Sequence, residues 1–422
     1  MYDTKARQLL RMLADRAGIV SITQVPMIIL FGGRNNFLIW LTGWPIEVFN
    51  VYHRWISRGI LVLLLVHAIS FSLSFTLAGS YNTVWSKPYW IFGITAFSSG
   101  AIIFFQSLRV LRQRNYEVFL AAHIALATVF IGAAWNHLKD LGELEYLYAA
   151  VAVWGTDRIA RIIRIIWSGS PCRAQMVAYE DGVFKVLIDY SKRWKISPGT
   201  YLFVSFLSRE SFWQFHPFSA VAPLDDKGTL TLYAKAKDGL TRDLYLNLCR
   251  QQGHRKNCRV LLEGPYGCQH ALYRYEEVFI IAGGVGITGV YNYAEDMRKN
   301  PQRDHSVQLI WVIPDERPLE WFGEQIDYLS CAEQFQITVY ITGTGNSNIQ
   351  TEKPTIAGQY RKMRGKPDVD SFVRRCIVNA SGKLAVLSCG PGSMNDQVRR
   401  AVAENIQSAS SRVDYFEESF SW

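Results

Sequence analysis

The chain has 422 residues, 49% of them hydrophobic, with 45 Lys and Arg against 36 Asp and Glu for a formal net charge of +9, a length that admits two or three domains with their own cores. The arginines sit at the ends of apolar runs and are not interleaved with aromatics along one face, which argues against a nucleic-acid surface and for anchoring at a bilayer. All seven cysteines (Cys172, Cys249, Cys258, Cys268, Cys331, Cys376 and Cys389) lie in the second half without a Cys-x-x-Cys pair, which fits a reducing compartment and neither a disulfide framework nor a zinc site.

Residues 1–16 carry charges throughout and do not read as a secretory signal, so insertion is expected to use an internal span. Residues 1–168 are dominated by long apolar runs, whereas the remainder alternates polar and apolar. Taking about 20 apolar residues as the length that crosses the hydrocarbon core, spans are expected at 17–32, 51–77, 89–110, 117–138 and 145–167. The breaks that hold Arg34, then Arg109, Arg112 and Arg114, then Arg158, Arg161 and Arg164 are basic, which places them and the second half in the cytosol. Five spans then leave the N-terminus outside despite Lys5, Arg7, Arg11 and Arg16. Either the rule is broken there or a further span precedes Met1.

An ionisable side chain inside a span is costly and marks function. His53 and His67 share the second span with thirteen residues between them, and His123 and His137 share the fourth with the same interval. A step of fourteen advances about 21 Å along a helix and returns to within about 40° of the same face. Two helices that present imidazoles at the same two depths can clamp two stacked haems, His53 with His123 and His67 with His137. Packing histidines are the bland alternative, and two matched pairs among eight histidines count against it. A single zinc or copper site fails on distance, since ligands about 21 Å apart on one helix cannot share an ion bound at about 2 Å.

From Cys172 to about Leu272 short period-two strands, such as 183–188, 201–206 and 229–233, predict a small barrel. Within it His216-Pro217-Phe218-Ser219 offers a fixed backbone and an aromatic to line a flat ring, or is an ordinary turn. Gly239 and Thr241, with Thr241 as N-cap, open a helical stretch suited to phosphate, and Glu263 to Gly267 reads as a turn. Val278 to Ala282 is a buried strand leading into Gly283, Gly284, Gly286 and Thr288 and then a helix, the arrangement that holds a dinucleotide pyrophosphate, although the glycine spacing is not the strict Rossmann one. Strands near 307–313, 336–341 and 384–388 follow. The last runs into Cys389-Gly390-Pro391, where Cys389 is a candidate contact for nicotinamide, or a buried thiol.

These residues resemble the fungal ferric reductase family, within the group that includes the NADPH oxidases. The resemblance extends over Arg34-Asn35-Asn36, Thr42 to Pro45, His53-Arg54-Trp55, both histidine pairs, the 216–219 tetrapeptide, Gly264 to Gly267, Gly283 to Gly289, Gly365 to Asp368, Cys389 to Pro391 and Phe416 to Trp422. It implies a multi-domain chain: an α-helical transmembrane bundle (1–168), a β-barrel FAD-binding domain (169–275) and an α/β nucleotide-binding domain (276–422) of the ferredoxin reductase type. It also implies that Trp422 covers the flavin ring and moves aside for nicotinamide. Six spans are usual in the family, and by that resemblance this chain starts at the second. Members often have an arginine after the second nucleotide-domain strand; here Pro314 stands there, with Arg317 as a substitute, so NADPH is expected but NADH is open.

By the same resemblance, NAD(P)H reduces FAD, which feeds one haem b (His53, His123) and through it the other (His67, His137). The implied acceptor is a ferric or cupric ion outside the plasma membrane, with a permease or multicopper oxidase of an iron-uptake system as a candidate partner. Oxygen reduction to superoxide, a truncated inactive haem protein and a soluble diaphorase with a membrane anchor are the competing readings.

Overall fold

The computed structural model describes residues 4–190, 194–208, 211–224, 229–301, 305–343, 355–357 and 360–418. They form two compact units, Met1–Ile162 and Ile163–Trp422.

In the first unit α1 (Lys5–Thr23) and α2 (Val25–Gly32) form nearly one helix interrupted at Gln24. Pro26 falls in the first turn of α2, where its missing N–H costs no intrahelical bond. The helix begins twelve residues before the expected span, at Lys5 instead of residue 17. Its charges are accommodated locally, because Arg11 pairs with Asp15 at 3.2 Å and lies 4.6 Å over the Phe71 ring. There follow α3 (Phe37–Thr42), α4 (Ile46–Leu77), α5 (Tyr81–Val84), α6 (Pro88–Gln106), α7 (Arg109–Arg114), α8 (Tyr116–Leu138) and α9 (Glu145–Trp167). The third expected span thus stops at Gln106, and its basic end is the separate short helix α7.

Among the described residues, four helical stretches are long and apolar enough to cross a membrane: Lys5–Gly32, Ile46–Leu77, Pro88–Gln106 and Tyr116–Leu138. The expected fifth, 145–167, is a 23-residue helix but is not among them, since Asp157, Arg158, Arg161 and Arg164 fill its second half. Asp157 is 7% exposed. One of its carboxylate oxygens accepts from the Asn35 backbone at 3.0 Å and side chain at 3.2 Å, and the other pairs with Arg158 and Arg161, each at 2.9 Å. That knot ties α9 to the turn after α2 and supplies what a bare carboxylate in an apolar setting lacks. Along α4, Val62, Leu65, Ile69, Leu73 and Leu77 are all exposed, an apolar stripe that is stable against lipid and costly against water.

The second unit begins with an antiparallel sheet of β1 (Cys172–Ala178), β2 (Val183–Asp189), β3 (Tyr201–Phe206), β4 (His216–Ser219), β5 (Thr229–Lys235) and β6 (Arg255–Tyr266), with α10 (Leu240–Cys249) between the last two. The order is β4-β3-β6-β1-β2-β5. A bridge between Val221 and Thr231 joins its two ends into a barrel. Alternation drives it: Cys172, Ala174 and Met176 point into the same core as Val186, Ile188 and Leu232.

The chain then builds β7 (Glu277–Gly283), α11 (Ile287–Lys299), β8 (Ser306–Ile313), α12 (Pro318–Ser330), β9 (Phe335–Ile341), β10 (Thr355–Ala357), β11 (Tyr360–Arg364), α13 (Val369–Asn379), β12 (Leu384–Cys389), α14 (Gly392–Asn405) and β13 (Val413–Glu417). Apart from the antiparallel edge β10 the sheet is parallel, in the order β10-β11-β9-β8-β7-β12-β13. Buried on both faces, β7 sends Val278, Ile280 and Ala282 to the layer of α11 and α12, and Phe279 and Ile281 to that of α13 and α14.

Asn292 of α11 fastens this layer to the barrel. Its side-chain nitrogen donates to the Ala220 carbonyl at 2.5 Å, and its oxygen accepts from the Ala222 N–H at 3.0 Å. Replacing it with alanine strands two buried backbone groups at about 1–3 kcal/mol each. Asn292→Ala is therefore expected to lower the thermal midpoint of the purified chain by several degrees, read by flavin fluorescence on heating.

Candidate functional site

In the helical unit the four histidines meet as two pairs. The ring centres of His53 and His123 are 6.2 Å apart, and those of His67 and His137 are also 6.2 Å apart. Two imidazoles on opposite sides of one metal ion, each bound at about 2 Å with its ring centre roughly 1 Å beyond the ligating nitrogen, stand roughly 6 Å centre to centre. The spacing of both pairs therefore fits an iron between them. Among the described residues no cluster of three or more His, Cys, Asp or Glu side chains competes as a metal site.

The second ring nitrogen fixes orientation in three of the four. Nδ1 of His53 donates to the Ile28 carbonyl at 2.8 Å, Nδ1 of His67 to the Ala14 carbonyl at 2.8 Å, and Nδ1 of His137 to the Tyr89 carbonyl at 2.7 Å. A carbonyl only accepts, so Nδ1 carries the hydrogen and Nε2 keeps its lone pair for a ligand. Such donation also makes the imidazole a stronger ligand.

Each accepting carbonyl precedes a glycine by four residues: Gly18 after Ala14, Gly32 after Ile28 and Gly93 after Tyr89. The imidazoles lie against those glycines. A Cβ would come within 2.6 Å of His67 Nδ1 at Gly18, 3.2 Å of His53 Nδ1 at Gly32 and 2.8 Å of His137 Cε1 at Gly93. These seats were missed in the sequence, although the signal is there, since Gly18 and Gly32 are separated by the same step as His53 and His67.

In the second unit the tetrapeptide 216–219 is strand β4 and not a turn. It pairs with β3 through Val204 with His216 and Phe203 with Pro217. His216, Pro217 and Phe218 are half-buried and Ser219 is buried, with the Phe218 ring 6.2 Å from Phe206. Gly239 is itself the N-cap of α10, at φ 81°, a conformation that favours glycine. Thr241 is not the N-cap; it lies inside the helix, and its hydroxyl accepts from the Lys237 N–H at 3.0 Å. Glu263 to Tyr266, expected as a turn, is the irregular end of β6, because β3 continues to pair with it.

Gly283 ends β7, Gly284 turns at φ 54°, and Gly286 leads into α11, where the Thr288 hydroxyl donates to the Val285 carbonyl at 2.9 Å. The 389–391 turn packs directly against this one. A Cβ at Gly283 would lie 2.6 Å from Pro391, and one at Gly286 would strike the Cys389 carbonyl. Two glycine turns thus share the carboxyl edge of neighbouring parallel strands β7 and β12, where open α/β sheets bind ligands. Cys389 has no exposed surface, and burial, followed by the nearby Glu418 and Glu417 carboxylates, pushes its thiol well above the ordinary value.

Beside this edge Glu418 gathers groups that the sequence did not flag. The Tyr293 hydroxyl donates to it at 2.7 Å, His270 Nε2 lies 3.9 Å away, and the Glu418 N–H donates to the Ser388 carbonyl at 2.9 Å. Burial pushes the Tyr293 hydroxyl up and the His270 imidazole down from their ordinary values. Trp422, expected over the flavin, lies outside the described residues. On this geometry a maleimide at pH 7 labels the exposed Cys331 in the native chain, whereas Cys389 reacts only after denaturation, as peptide mass spectrometry would show.

Comparison with known proteins places the two units. The ferric reductase like transmembrane component profile matches residues 17–134, an FAD-binding domain matches 170–270, and the ferric reductase NAD binding domain matches 275–403. Ferric/cupric reductase transmembrane component 1 of Candida albicans is 34% identical over all of this chain and 59% of its own length. A probable ferric reductase transmembrane component of the same organism is 33% identical over all of this chain and 66% of its own. Ferric reductase transmembrane component 3 of Saccharomyces cerevisiae is 29% identical over all of this chain and 63% of its own. The chain therefore spans 59–66% of the length of these relatives. A ferredoxin NADP+ reductase from Neisseria gonorrhoeae, solved with FAD and NADP, matches with a TM-score of 0.42 at 14% identity, over 58% of this chain and 97% of that one. With an apolar helical region followed by FAD-binding and NAD-binding domains along its length, this membrane protein belongs to the ferric reductase family.

Proposed function

We propose that the chain transfers electrons across a membrane from NAD(P)H, through FAD and two haems b, to a ferric or cupric ion on the far side. The observation that carries this reading is the pair of 6.2 Å histidine contacts on two membrane-length helices. The flavin supplies the conversion of a hydride into single electrons, and the haem irons supply one-electron relay sites.

The protein's part is to hold and orient. His53 with His123 would hold the first haem of the relay, and His67 with His137 the second. The barrel strand His216–Ser219 and the start of α10 at Gly239 would hold FAD, and the paired turns at Gly283–Gly286 and Cys389–Pro391 the nicotinamide nucleotide. Beyond β8, Arg317 is held by Asp315, which pushes the guanidinium above its ordinary value. A 2′-phosphate has to compete with that carboxylate, whereas a 2′-hydroxyl donates to it, so both NADPH and NADH are accepted in this reading. The basic breaks between the spans support this orientation, with the nucleotide domains in the cytosol and the acceptor outside the plasma membrane. The relatives named for ferric and cupric reduction favour a metal ion over oxygen as acceptor.

Two tests follow. Membranes carrying the chain, given NADPH and a ferric chelate, are expected to form ferrous ion without stoichiometric superoxide. His67→Ala is expected to abolish that reduction while leaving transfer to a flavin-reducible dye, and superoxide as the main product would replace the metal reading with an oxidase. Gly18→Ala is expected to lose one haem by absorption spectroscopy. Gly59→Ala, where a Cβ meets nothing within 4 Å, is expected to keep both.

A further inference from the structure

Among the four histidines, His123 departs from the shared pattern: its Nδ1 is buried without a hydrogen-bond partner among the described residues. The packing of α6 on α8 shows what stands where its acceptor would be. Gly93 lies against His137, and a Cβ at Gly100 would lie 3.8 Å from the Phe130 ring. Seven residues forward on α6 thus correspond to seven back on α8, as in an antiparallel pair. One further step of seven sets Ser107 opposite His123, and Ile103, four residues before Ser107, takes the place that Tyr89 has for His137.

The α1/α2 rod against α4 repeats the rule, with Gly18 at His67 and Gly32 at His53. Three seats therefore have glycine and an open carbonyl. The fourth has serine, and its hydroxyl donates to the Ile103 carbonyl at 2.6 Å.

We propose that Ser107 is a positioning residue that makes His123 the weakest-donating ligand of the four, by covering the Ile103 carbonyl with its hydroxyl and the helix surface with its Cβ. This rests on the reading of the histidine pairs as haem ligands. An imidazole that donates from Nδ1 to a carbonyl gains basicity at Nε2 and stabilises the ferric state; one that does not leaves its iron easier to reduce. The pair containing His123 is therefore biased toward accepting an electron, and glycine at position 107 removes that bias.

The experiment is a potentiometric titration of the two haem absorption bands in the full chain, comparing the parent with Ser107→Gly and Ser107→Ala. Glycine opens both the surface and the carbonyl, so one haem midpoint is expected to move to a more negative value while the other stays. Alanine frees the carbonyl but keeps the Cβ, so its midpoints are expected to match the parent. Unchanged midpoints in Ser107→Gly, or movement of both haems together, overturn the proposal while leaving the haem reading intact. A shift in Ser107→Ala also overturns it, because the hydroxyl would then be acting directly on His123. A parent chain that binds no bis-histidine haem overturns the haem reading and this proposal with it.

Discussion

An imidazole can bind a metal only through a nitrogen whose lone pair is free, and in the helical unit that freedom is secured by the other nitrogen. His53, His67 and His137 each give their Nδ1 hydrogen to a carbonyl of a facing helix, which neutral imidazole alone can do while keeping Nε2 as an acceptor. The bond needs close approach of ring to backbone, and glycine at Gly18, Gly32 and Gly93 permits it. The separation of the facing rings, the crossing of α1 and α2 with α4, and that of α6 with α8 all depend on this fit. It also answers the cost of polar groups in a span, since each of these Nδ1 hydrogens is satisfied and no charge is carried.

The second unit uses glycine for the same physical purpose against a different neighbour. At Gly283 and Gly286 the missing Cβ lets the turn after β7 pack on the turn after β12. The two strand ends thereby form one edge with backbone N–H groups of the α11 and α14 N-termini close by. Cys389 is sealed beneath that edge, and Glu418 joins it to β13 through Ser388, with Tyr293 and His270 around its carboxylate. Burial of Tyr293 and Cys389 keeps both side chains in their neutral forms at physiological pH.

Much of this was legible because it depends on period. The step between His53 and His67, repeated between His123 and His137, states a depth and a face, and the structure pairs the rings accordingly. The strands at 183–188, 201–206 and 307–313 were found within a residue or two because alternating or continuous apolar runs have few other uses. The glycine seats were not legible one at a time, because an isolated glycine in a helix reads as a weakness or a kink; only the matched step of fourteen distinguishes them. The start of α1 was placed too late because hydropathy counts Arg11 and Asp15 as charges and cannot see them pair. At α9 the helix has the expected bounds, but counting apolar residues could not see that Asp157 and its arginines form a knot in its second half. The N-cap was misplaced by two residues because a threonine beside a glycine suits either the cap or the first turn, and the backbone of Gly239 decided it.

The central claim is an ordered relay through the two histidine pairs, and anaerobic reduction by NADPH tests it most directly. The purified chain and its His123→Ala and His67→Ala variants would be followed by reduced-minus-oxidised spectra, with dithionite defining full reduction. The account predicts that NADPH reduces both haems of the parent and the remaining haem of His67→Ala, while the haem left in His123→Ala is reducible by dithionite but not by NADPH. Equal reduction by NADPH in both variants, or a parent chain that binds FAD but no haem, would contradict it.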